Sequence, residues 1–89
     1  MSDDVLYDMA ELIKKYRNKK TPRGTYYTFY FRGGYVDCKS FQSNLALDKY
    51  IDLEDSKGHC VSSILSSKII DIYLTSKKHI GPCLYRSKL

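Results

Sequence analysis

Eight consecutive residues, Thr25-Tyr26-Tyr27-Thr28-Phe29-Tyr30-Phe31-Arg32, are β-branched or aromatic up to a terminal arginine, and Gly33-Gly34 follows at once. Such side chains crowd the preceding turn of a helix but pack well on a pleated surface, so the run predicts a strand. The two glycines supply the positive φ angles of a two-residue hairpin turn, and a second strand from Tyr35 to about Gln42 follows. Any fold of this chain has to accommodate that ribbon.

Counting outward from a Gly33-Gly34 turn pairs Arg32 with Tyr35, Phe31 with Val36, Tyr30 with Asp37 and Phe29 with Cys38. Opposed residues share a face. One face then carries Phe29, Phe31, Val36 and Cys38, with Tyr27 and Ser40 toward the open end, and is expected to be the core. The other carries Tyr26, Tyr30, Tyr35 and Phe41, interleaved with Arg32, Lys39, Thr28 and Asp37.

Upstream, Val5, Leu6, Met9, Leu12, Ile13 and Tyr16 recur at three- and four-residue steps, which predicts an amphipathic helix from about Asp3 to Asn18. Ser2 suits the N-cap, Asp3 and Asp4 suit the positive end of the dipole, and Thr21-Pro22-Arg23-Gly24 stops the helix. Residues Asn44 to Glu54 fit two templates: Leu45, Leu47, Ile51 and Leu53 alternate as in a strand, whereas Leu47, Tyr50, Ile51 and Glu54 fit a helix capped by Ser43. Asp55-Ser56-Lys57-Gly58 reads as a turn. His59–Leu65 and Lys68–Thr75 read as strands, the latter alternating through Ile70, Ile72 and Leu74. The tail from Ser76, broken by Gly81-Pro82, is expected to be irregular. The fold class is therefore α+β, an N-terminal helix packed on a small, largely antiparallel sheet.

Eighty-nine residues suffice for one core, and residues 1–89 are read as a single domain. The acidic start Met1-Ser2-Asp3-Asp4 lacks a basic n-region and an apolar h-region, and apolar runs are too short to cross a bilayer. Cys38, Cys60 and Cys83 form an odd, unclustered set, so three free thiols in a cytoplasmic setting are expected, with no disulfide. Ser87-Lys88-Leu89 matches a peroxisomal address, meaningful only in a eukaryotic cell with a free C-terminus, and is read as a basic tail. His59, His79 and the cysteines lack metal-ligand spacing, and His59 and Cys60, adjacent on a strand, point to opposite faces and cannot pair as base and nucleophile. No phosphate-loop, dinucleotide or zinc-protease motif is present. The expectation is a non-enzymatic binding module with no cofactor, no metal and no membrane partner.

Two features suggest what it binds. Nine tyrosines and no tryptophan, with a formal net charge of +5, are unusual for so short a chain. Tyr26, Tyr30, Tyr35 and Phe41 among Arg32 and Lys39 suit stacking of bases on an open sheet. Lys14, Lys15, Arg17, Lys19, Lys20 and Arg23 place six cations in ten residues, a cluster able to track phosphates or simply to satisfy a helix end. The first reading is a single-stranded nucleic-acid binder. The alternative is a protein-binding factor, such as a compact inhibitor or assembly subunit, anchored by the same rings, and a homodimer is a third use of such a face. Asp48, Asp52, Glu54 and Asp55 divide the charge and weigh against a uniformly basic surface.

Overall fold

The computed structural model describes residues 6–17, 19–44, 49–76 and 80–87. One helix, α1 (Met9–Tyr16), precedes seven strands: β1 (Thr25–Phe31), β2 (Gly34–Cys38), β3 (Ser40–Ser43), β4 (Tyr50–Glu54), β5 (Cys60–Leu65), β6 (Ile69–Ser76) and β7 (Ile80–Arg86), with a 3₁₀ turn (Ser66–Lys68) between β5 and β6. The strands form two antiparallel sheets, one ordered β2-β1-β6-β7 and the other β3-β4-β5. This is an α+β fold with two sheets where the sequence suggested one.

The helix is shorter than its periodicity predicts. It starts at Met9, and its N-cap is Asp8, whose carboxylate accepts the Glu11 amide at 2.8 Å. Leu6 and Tyr7 instead donate their amides to the carbonyls of Cys83 and Leu84 on β7, and Leu6 sits at φ 53°. The proposed cap at Ser2 lies outside the described residues. Leu12 is the fully buried member of the stripe, flanked by partly buried Met9, Ile13 and Tyr16.

The hairpin turns at Arg32-Gly33, since Phe31 opposes Gly34 and Tyr30 opposes Tyr35. Only Gly33 needs a positive φ, at 100°, so Gly34 is free to begin β2. The register is thus two residues off the expected one, an even shift that leaves the faces intact. Tyr27, Phe29 and Cys38 point inward and are buried, whereas Phe31 is only half buried near the end of the ribbon.

Past Cys38 the expected second strand divides. Cys38 pairs with Tyr27 in the first sheet, but Ser40 pairs with Glu54 in the second, so the chain turns a corner at Lys39. Phe41 consequently lies fully buried between the sheets, 4.9 Å from the Tyr27 ring and 5.1 Å from Phe29, and not on the open aromatic face. The ambiguous segment resolves at Tyr50–Glu54 as a strand with Ile51 and Leu53 inward; residues 45–48 lie outside the described set.

Two further departures come from sheet irregularities. A register shift between Tyr30 and Phe31 sets Ile69 opposite Phe31, so Ile69 is buried and Ile70 is exposed, which breaks the simple alternation expected from Ile70 onward. The tail is a strand: β7 pairs with β6 through two register shifts, at the edge of its sheet. An edge strand tolerates Pro82, and a side chain on Gly81 would overlap the Leu74 carbonyl. The core joins both sheets and the helix in one cluster of Leu12, Tyr27, Phe29, Cys38, Phe41, Ile51, Leu53, Ile69, Ile72 and Leu84.

Phe29→Ala or Phe41→Ala is expected to cost about 3–5 kcal/mol in urea unfolding, against less than about 1 kcal/mol for Tyr35→Ala. Burial, reinforced by the Asp37 charge, pushes the Cys38 thiol up from 9.0 to about 12, and burial beside Tyr16 pushes the Tyr27 phenol up from 10.0 to about 12. Both groups ionise more readily in the unfolded chain, so the stability they contribute is complete below about pH 9 and lost as pH rises toward about 12. Unfolding midpoints measured from pH 7 to 11 should fall above pH 9, and Cys38→Ala should flatten the first part of that fall.

Candidate functional site

The outer face of the first sheet presents the tyrosines that alternation turns away from the core. Tyr30 on β1 lies between Tyr35 on β2 and Tyr73 on β6, with both ring centroids 5.6 Å away, the first pair tilted and the second edge to face. Tyr35 is 61% exposed, the most open of the three. Beyond Tyr73 the row ends on β7 at Arg86, whose guanidinium donates to the Tyr73 hydroxyl at 3.1 Å and to the Asp71 carboxylate at 3.3 Å. This places a cation at the end of a three-ring row.

Thr28 forms the floor next to that row. It is 2% exposed, its hydroxyl donates to Asp37 at 2.7 Å, and Thr75 Oγ1 stands 3.0 Å away. Further along β1, Tyr26 opens into a groove of about 500 Å³ lined by Lys20, Arg23, Asp37, Lys39, Asp55 and Val61 among others. Such a volume lies within the range of small-ligand sites. Three cations and two carboxylates therefore surround one ring.

These groups are not equally available. The Lys39 ammonium donates to the carbonyls of Pro22 at 3.0 Å and Thr25 at 2.6 Å and sits 4.6 Å from the Tyr26 centroid. Its charge is spent largely on carbonyl dipoles and a ring face, so Lys39 is a structural tie in the groove wall. Asp55 is likewise occupied by its own turn, accepting the amides of Lys57 and His59 at 2.9 Å each, and those bonds hold its carboxyl below the usual range. Lys20 donates to the Ser56 carbonyl at 3.1 Å from an exposed position, and Arg23 is exposed. Lys20 and Arg23 are the groove cations open to solvent.

The structure thus brings together Tyr26, Lys20, Arg23 and Lys39 in the groove, and Tyr30 with Tyr35 beside it. Arg32 occupies the exposed hairpin turn and lines a second groove, of about 1050 Å³, with Phe31, Tyr50, Lys68 and Ile70. Phe41 leaves the surface altogether. Lys14, Lys15 and Arg17 belong to the end of α1, which packs against β3 and β7; Lys15 lies 5.1 Å from the Tyr7 ring. Lys19 is exposed on the link to β1, its carbonyl accepting the Tyr27 hydroxyl at 3.3 Å. The six-cation cluster is therefore divided, with Lys20 and Arg23 facing the groove.

Sequence reasoning missed Tyr73, Asp71 and Arg86. Alternation within β6 sets Tyr73 opposite Ile72, but nothing local reveals that β6 pairs with β1, and Arg86 lies on a strand hidden by Gly81-Pro82. Among the described residues no group of three His, Cys, Asp or Glu side chains converges as a metal would require. Cys60 is exposed, while Cys38 and Cys83 are buried, and no disulfide joins any two of them. No helix among the described residues is long and apolar enough to cross a membrane.

The Lys39 tie predicts a measurable cost. Lys39→Met leaves two carbonyls without their charged donor and should lower unfolding stability by about 1–3 kcal/mol, whereas Lys20→Met should lower it by less than about 0.5 kcal/mol. Urea titrations of the two variants compare the effects directly. No protein-family model matches the chain, and neither the curated proteins nor the solved structures provide a match.

Proposed function

We propose that this chain is a non-enzymatic module that binds single-stranded nucleic acid on the outer face of the β2-β1-β6-β7 sheet. The observation that carries the reading is the Tyr35–Tyr30–Tyr73 row, next to a groove whose solvent-facing cations are Lys20 and Arg23. Rings offer bases a sequence-tolerant stacking surface, and cations at the margin neutralise the phosphates that connect those bases. A duplex hides its base faces, so this arrangement favours unpaired strands. The protein's net charge of +5 acts in the same direction.

The roles divide by chemistry. Tyr35, the most exposed ring of the row, is the first stacking site, and Tyr30 extends it with its orientation set by Tyr35 and Tyr73. Lys20 and Arg23 contact phosphate. Arg86, held by Tyr73 and Asp71, contacts phosphate or stacks on a base at the far end.

Fluorescence anisotropy with single-stranded ten-nucleotide probes, across a salt series from about 50 to 200 mM, tests the reading. Tyr35→Ala and Tyr30→Ala should each weaken binding by about 1–3 kcal/mol. Lys20→Gln and Arg23→Gln should each lower the magnitude of the salt slope by roughly 0.7 and weaken all probe sequences alike. Absence of binding at about 50 mM salt overturns the proposal and turns attention to a protein partner for the same rings. Retention of affinity by both tyrosine variants would show that the face is not the site.

A further inference from the structure

Asp37 is out of place on a surface for polyanions. Its carboxylate lies on the outer face of β2, two residues beyond the open Tyr35 ring, and lines the same groove as Lys20 and Arg23. A two-residue step along a strand separates side chains on one face by about 7 Å, so a base seated on Tyr35 presents its edge to Asp37. The carboxylate is also held. The buried Thr28 hydroxyl donates to Oδ1 at 2.7 Å, while the residue itself is exposed.

A fixed carboxylate repels phosphate and accepts hydrogen bonds without donating any. It costs affinity for every nucleotide except one whose base presents donors to both oxygens. Guanine alone among the four common bases offers two adjacent donors, N1–H and the N2 amine, on its Watson–Crick edge. Adenine, cytosine and uracil each set an acceptor next to their donor, which would face the second oxygen. The bond from Thr28 uses one of about four acceptor positions on the carboxylate, so both oxygens still accept.

We infer that Asp37 makes this surface selective for guanine: the base stacks on Tyr35, its N1–H and N2 amine donate to the Asp37 carboxylate, and a phosphate of the neighbouring nucleotide meets Lys20 and Arg23. The inference rests on the nucleic-acid reading above and adds base selectivity to it.

Three ten-nucleotide RNA probes separate the two levels: alternating uridine and guanosine, alternating uridine and inosine, and uridine alone. Inosine keeps N1–H and lacks the N2 amine. The wild-type protein should bind the guanosine probe about tenfold more tightly than uridine alone, with inosine between them. Asp37→Asn keeps the oxygen that Thr28 bonds, and should bring the three affinities within about twofold without weakening binding to uridine alone. Thr28→Val releases the carboxylate without deleting it and should reduce the preference partially; thermal melts check that both variants are folded. Equal binding of the three probes by the wild type overturns the guanine inference and leaves the nucleic-acid reading standing. So does a full preference retained in Asp37→Asn. No binding to any probe overturns both.

Discussion

Everything in this molecule depends on how one strand changes sheets at Lys39. The backbone leaves its pairing with β1 after Cys38 and takes up pairing with β4 at Ser40, so the corner residue belongs to neither regular ladder. Its polar groups are nevertheless satisfied: the Lys39 amide donates to the Glu54 carbonyl at 2.8 Å, and its carbonyl accepts the Thr21 amide at 3.0 Å. The ammonium of the same residue ties down Pro22 and Thr25. One lysine thus fixes the corner, the loop entering β1 and the wall of the groove. Because of that corner, Phe41 swings between the sheets onto Tyr27 and Phe29. Tyr16 of the helix then packs 5.7 Å from the Tyr27 ring and 6.4 Å from Phe41.

The tyrosines then divide by parity. On β1, Tyr27 faces the core with Phe29, while Tyr26 and Tyr30 face outward, and the same alternation sends Tyr35 and Tyr73 out from β2 and β6. Inward tyrosines find partners for their hydroxyls or lie at the margin of the core, as Tyr27 does through the Lys19 carbonyl. Of the outward ones, Tyr30 packs against Tyr35 and Tyr73, Tyr26 lies under the Lys39 ammonium, and Tyr35 keeps most of its ring exposed. Thr28, lying between Tyr26 and Tyr30 on the same face, is too small to fill the space between them. Asp37 and Thr75 close over it, and the result is a shallow floor instead of a flat wall of rings.

Parity was legible in the sequence because it depends only on counting along an unbroken strand. Placing the hairpin turn at Gly33-Gly34 instead of Arg32-Gly33 moved the register by two residues and left every face assignment up to Cys38 unchanged. The corner was not legible. Lys39 is neither glycine nor proline, and its role follows from carbonyls some fifteen residues earlier in the chain, so alternation alone places Phe41 on the surface. The opposite case is Gly81-Pro82, where two residues that usually break strands sit in a strand at the edge of its sheet. The helix start shows a third kind of limit: Ser2 and Asp8 are both good caps, and only the pairing of Leu6 and Tyr7 with β7 favours the second. The candidate site was therefore half visible, with its β1 and β2 residues read directly and its β6 and β7 residues dependent on long-range pairing.

Charge is distributed in a way that strengthens one face at the expense of the other. On the outer side of the second sheet, Glu54 accepts hydrogen bonds from Ser40 and Gln42, and Asp52 from Asn44 and Ser63, at 2.6–3.2 Å. The donors in these bonds are uncharged. On the nucleic-acid reading proposed above, a polyanion would meet these two carboxylates on that side, while Lys20, Arg23 and Arg86 would attract it to the tyrosine face. Division of charge between faces therefore orients an encounter more effectively than a uniform positive surface of the same net charge, which would bind in many registers. On the nucleic-acid reading proposed above, Asp52 and Glu54, which divide the charge when read along the sequence, would turn a polyanion away from the outer side of the second sheet once the strands are paired, whereas Asp55 lines the groove itself.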